Sequence, residues 1–135
     1  MKKLLLVDSD KDCSSALRKQ LEFDKTYLVH QVTGYQELQE LKEEKKPTDI
    51  ILVNIHKSQH DTVVLAEICD SFPEPQLIVL MPDDSSLKGV CQKLDSQKEI
   101  LLKPIKVSDL LTAISRKIAL HSSGGKDLKI ANYGL

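Results

Sequence analysis

Four short runs suited to β-strands each end in side chains that can do chemistry. Leu4 to Val7 is followed by Asp8, Ser9 and Asp10, and Ile50 to Val53 by Asn54 and, two residues on, His56. Gln76 to Leu80 gives way to Met81, Pro82 and Asp83, and Glu99 to Leu102 to Lys103 and Pro104. An acid, an amide, an imidazole and an ammonium gathered at one place can hold a hard cation through carboxylate oxygens. They can equally satisfy one another's charges and hydrogen bonds away from water. The member that raises a question is Asn54, because a run of four branched apolar residues ends there in an amide.

Gathering those side chains requires a particular arrangement of elements. Runs rich in branched residues alternate with longer segments at helical spacing, which is the pattern of βα units wound around a parallel sheet. Five such units can be counted along the chain. Asp10 or Asp12 can cap a first helix burying Ala16, Leu17 and Leu21. The second strand is Leu28 to Val32, followed by a helix near Tyr35 to Glu44 with Leu38 and Leu41 inward and "KEEKK" wet. A third helix near Thr62 to Ser71 carries Val63, Val64, Leu65 and Ile68, and Pro73 and Pro75 end it. A fourth near Ser85 to Leu94 contains Gly89, and the last, near Val107 to Leu120, buries Leu110, Leu111, Ile114 and Ile118. The fold expected is α/β, a doubly wound five-stranded parallel sheet. Its functional crevice lies outside the carboxyl ends of the strands, where the four groups of polar residues fall.

Composition bounds the rest. At 135 residues, with 41 % hydrophobic and 29 % charged content, the chain suits one domain, read here as residues 1–120 with a tail 121–135 linked through Gly124 and Gly125. A formal charge of −1 gives no electrostatic reason to expect nucleic acid or an anionic membrane. The apolar run of "MKKLLLV" is cut off at Asp8, too early for a signal peptide, and no run reaches the roughly 18 residues of a spanning helix. Cys13, Cys69 and Cys91 are isolated, which suits a reducing cytoplasm.

The segments "LLLVDSD", "DIILVNIHKSQHD" and "LLKPI" together resemble the receiver domain of bacterial two-component response regulators, over about residues 1 to 120. The resemblance implies a flavodoxin-like (βα)5 fold and a role in signal transduction, including phosphorelays. In that family an acidic pair follows the first strand and a phosphate-accepting Asp ends the third. A Thr or Ser ends the fourth, and Lys-Pro follows the fifth. Here Asp8 matches the first acid and Ser9 stands in the place of the second. Asn54 stands in the acceptor's place, Met81 in the hydroxyl's, and Ile100 at the aromatic switch position. Lys103 and Pro104 match, the proline being one that in the family follows a cis peptide bond. The family's Mg²⁺ site uses both acidic positions and the backbone carbonyl at the place of His56.

These departures have chemical consequences. The nitrogen lone pair of an amide is delocalised, so Asn54 cannot attack phosphorus as a carboxylate does. With Ser9 and Asn54 neutral, Mg²⁺ affinity should be weak or absent, and Asp10 should point away into the helix start. Asp8 and Lys103 are expected to pair, with Asn54 beside them, as a polar knot holding one conformation. The function expected is a phosphorylation-independent, non-enzymatic receiver that binds another protein. By resemblance, the binding face comprises the fourth helix, fifth strand and fifth helix, with contacts at Lys88, Gln92, Lys98, Leu110 and Arg116. A homodimer is a further expectation, with no face assigned to it. The alternative function is a small-ligand or nucleotide-binding module in the crevice, although "DSDKDCSS" is no glycine-rich phosphate loop. Phosphorylation on another group, for instance Asp8, is a third reading. His56, His60 and Asp61 are read as solvated loop residues rather than a metal site.

Overall fold

A computed structural model describes residues 2–23, 25–44, 48–56, 63–68, 77–82 and 98–119. Within them the strand-like runs become β1 (Lys2–Asp8), β2 (Tyr27–Val32), β3 (Ile50–Asn54), β4 (Leu77–Pro82) and β5 (Lys98–Lys103). All pair in parallel, in the order β2-β1-β3-β4-β5. The chain moves outward from β1 to β2, then returns past β1 to continue through β3, β4 and β5. The order therefore reverses between β1 and β3, and a doubly wound sheet opens its ligand crevice at such a reversal.

The interior strands β1, β3 and β4 are buried on both faces, which is why they read as continuous apolar runs, whereas the edge strand β2 alternates and β5 leaves Ile100 and Leu102 exposed. Alternation instead sorts the residues between two core layers. Leu5, Val7, Ile51, Val53, Val79 and Met81 pack with Leu38 of α2 (Tyr35–Glu44) and with Val64, Leu65 and Ile68 of the helical residues 63–68. Leu4, Leu6, Ile50, Leu52, Ile78 and Leu80 pack on the other face with Leu21 of α1 (Lys11–Leu21) and with Leu110, Ala113, Ile114 and Ile118 of helix 107–119. Each such side chain taken fully out of water contributes on the order of 2 kcal/mol before conformational entropy is set against it.

Local chemistry fixes where the helices begin. The Asp10 carboxylate accepts from the Asp12 and Cys13 N–H groups at 3.0 and 3.1 Å and so caps α1, with Asp12 in the first turn and Arg18 and Lys19 in the last to complement the helix dipole. Glu37 reaches back from the first turn of α2 to accept from the Thr33 hydroxyl at 2.6 Å. The edge strand β2 is tied to α1 by polar groups. Gln31 donates to the fully buried Ser14 hydroxyl at 2.8 Å, and Glu22 accepts the Val29 N–H at 3.2 Å. A carboxylate on an edge N–H leaves that position no donor for a foreign strand.

Several expectations need correction. Ala16 is exposed, because the inward stripe of α1 is Ser14, Leu17 and Leu21, and Val63 is 57 % exposed. The fourth strand runs on through Met81 and Pro82, which pair with Leu102 and Lys103, so those residues lie in the sheet rather than beyond it. Leu110 is 1 % exposed and belongs to the core, not to a binding surface. The helix expected near Ser85 to Leu94, His60, Asp61 and the tail 121–135 lie outside the described residues.

Candidate functional site

The reversal point between β1 and β3 is where the sheet brings Asp8 and Asn54 side by side, as register partners on the last residues of their strands. Both are buried, Asp8 to 1 % and Asn54 to 9 % exposure. A buried carboxylate without partners would be costly, and Asp8 has three. Its Oδ1 accepts the Asp10 N–H at 2.9 Å and lies 2.7 Å from His56 Nε2. Its Oδ2 accepts from Asn54 Nδ2 at 2.9 Å. That bond fixes the amide, because the flipped orientation would set its oxygen against a carboxylate oxygen. Asn54 Oδ1 is left buried with no hydrogen-bond partner among the described residues.

The other expected residues fall at various distances from this corner. The Lys103 ammonium donates to the Ile55 carbonyl at 2.8 Å, so the lysine does converge on the end of β3. The ring nitrogen that stands against Asp8 Oδ1, at 2.7 Å, is nevertheless Nε2 of His56. Ser9 is exposed and, with Val7, Thr33, Val53, Asn54, Ile55 and Val64, lines a cleft with room for about one water molecule. Met81 stands apart: it is 2 % exposed and packs in the core layer on the sheet face opposite to that of Asp8 and Asn54. Ile100 is 37 % exposed on β5, and Pro104 follows a cis peptide bond. Asp10 turns into the cap of α1, as expected. The Cys13 backbone N–H, then the Cys13 side chain and the Asp12 N–H, hold its carboxyl below the usual 3.8, and nearby His56 acts in the same direction.

Reading the sequence alone missed the side chain of His56. A signal was available, because Asn54 and His56 are two apart, and extended chain places such residues on one face. Asp8 brings a carboxylate whose two oxygens already accept three hydrogen bonds, and its neighbours are a hydroxyl and an amide. Among the described residues no group of three His, Cys, Asp or Glu side chains is placed to hold a metal.

No protein-family model matches the sequence, and no curated protein does. Solved structures do match. A CheY-like response regulator receiver domain protein from Methanospirillum hungatei JF-1 superposes with a TM-score of 0.76 at 20 % identity, over 92 % of this chain and 98 % of that one. The fold is that of response regulator receiver domains. The signal receiver domain of an HD domain-containing protein from Pseudomonas fluorescens Pf-5 gives a TM-score of 0.74 at 25 % identity, over 90 % of this chain and 98 % of that one. A response regulator receiver domain protein from Clostridium thermocellum gives 0.74 at 22 % identity, over 90 % and 98 % of the two chains. In this receiver fold, the strand-end corner of Asp8 and Asn54 occupies the crevice expected of a doubly wound sheet.

Proposed function

We propose that this receiver-fold chain is a signalling module that has lost phosphoryl transfer and acts by binding another protein. The observation that carries the reading is the Asn54 amide in register with Asp8, donating to it at 2.9 Å. Forming an acyl phosphate needs a carboxylate oxygen to attack phosphorus, and the amide presents Nδ2–H protons to Asp8 instead. Mg²⁺ requires near-octahedral oxygen donors, and here one carboxylate stands among a hydroxyl and an amide, so the metal is bound weakly or not at all. Three groups close around Asp8, the Asn54 amide, the His56 ring and the Asp10 N–H, and Lys103 donates to the Ile55 carbonyl. A buried carboxylate held from three sides favours one conformation of this corner.

Such a module is not an enzyme, and it works in the cytoplasm. Among the described residues no helix is long and apolar enough to cross a membrane. Its binding surface includes the exposed side of β5 and helix 107–119, where Ile100 and Leu102 are 37 % and 47 % exposed and Arg116 donates twice to Glu99, at 2.7 and 2.8 Å. A second copy of the chain can occupy the same face. Lys88 and Gln92, which would extend it, lie outside the described residues. The narrow cleft beside Asn54 does not favour a nucleotide.

Incubation with acetyl phosphate and Mg²⁺, followed by intact mass, tests the reading. The expected result is an unchanged mass. A stoichiometric phosphoryl adduct on Asp8 or another residue of this corner would overturn it.

A further inference from the structure

We infer that His56 plugs the position a divalent cation would need at Asp8, so that the protein supplies its own donor where a metal would otherwise bind. The inference rests on the reading above that this corner no longer takes Mg²⁺, and it names the group that closes it. Of the three donors on Asp8, the Asp10 N–H belongs to the backbone at the start of α1 and Asn54 is buried at the end of β3. Neither can leave without disturbing the sheet or the helix cap.

His56 is different. Its side chain is 30 % exposed and follows β3 in irregular chain, outside any strand or helix. Its Nε2 stands 2.7 Å from Oδ1, inside the space an ion coordinated at about 2.1 Å and its water shell would fill. Neutral or charged, the ring can present an Nε2–H there, and the carboxylate oxygen accepts it. The remaining oxygen, Oδ2, faces the Nδ2–H of Asn54. The Lys103 ammonium, at the same end of the sheet, donates to the Ile55 carbonyl. Histidine at 56 thus acts as a positioning residue that keeps Asp8 satisfied and closed to metal.

The test removes the plug after giving the site a second acid. Mg²⁺ is titrated into Asn54→Asp and into Asn54→Asp/His56→Ala, with amide chemical shifts at residues 8, 54 and 56 as the readout. The double variant is expected to bind Mg²⁺ about tenfold more tightly, the worth of one hydrogen bond to a charged group. Equal affinities would overturn the plug. Where two facing carboxylates prevent folding, Mn²⁺ broadening of the Asp8 amide decides between wild type and His56→Ala. Broadening confined to His56→Ala supports the inference, and broadening equal in both or absent from both overturns it. Neither overturning result restores phosphoryl transfer, which the phosphodonor mass experiment tests separately.

Discussion

Asn54 makes one good bond and leaves one atom unsatisfied, and the balance between these sets what its replacement costs. Its Nδ2 is a donor to a buried carboxylate, whereas its Oδ1 is buried without a partner among the described residues. Asn54→Ala removes both, stripping Asp8 Oδ2 of its donor while relieving the stranded oxygen. Leaving a buried charged acceptor unsatisfied dominates, so the variant should lose about 2 kcal/mol of stability by urea unfolding. No loss would mean that the amide is incidental to the corner. At this scale the sequence was readable for identities but not for partners. That Asn54 lacks a nucleophilic oxygen follows from its chemistry alone. That Asp8 bonds to His56 at 2.7 Å, while Lys103 goes to the Ile55 carbonyl, depends on side-chain reach and rotamer, which no spacing encodes.

Elements were legible wherever periodicity or capping chemistry was strong. Three apolar runs became the interior strands β1, β3 and β4, where burial on both faces demands continuous hydrophobicity, and two became the edge strands β2 and β5. Strand ends were harder to place: β4 extends through Met81 and Pro82 because pairing with Leu102 and Lys103 continues after the β3 ladder ends at Asn54 and Leu80. Ala16 was misplaced because the stripe of α1 includes Ser14, a polar residue buried by its bond to Gln31. The α1 cap carries its own prediction. The Asp10 carboxyl is held below 3.8 in the folded protein, so its contribution is fully present above that pH and is lost as pH falls through the lower folded value. Asp10→Ala should therefore melt below wild type at neutral pH, with the gap in melting temperature narrowing in acid. A gap unchanged by pH would show that the ionised cap does not stabilise α1.

For the molecule as a whole, the sheet order and the crevice at its reversal point give the receiver fold, while the surface carries the proposed activity. Arg116 is half exposed and bridges helix 107–119 to Glu99 of β5. Arg116→Glu sets two acids against each other at a largely exposed site, where an ion pair is worth little, so folding should survive. Partner binding measured by calorimetry should fall by tenfold or more, the order of one lost charge-complementary contact. Unchanged binding would place the partner on another face. The identity of that partner was never legible, because recognition depends on surface shape and charge that a fold shared by many functions does not determine.

The central claim is that this receiver fold has no working phosphoryl switch. Its most direct test adds Mg²⁺ and beryllofluoride, a mimic of an aspartyl phosphate, while amide chemical shifts are recorded at Asp8, Asn54, Met81 and Lys103. No saturable change is expected at any of the four. Saturable shifts centred on Asp8 and Asn54 would reveal a functioning metal and phosphoryl pocket and contradict that claim.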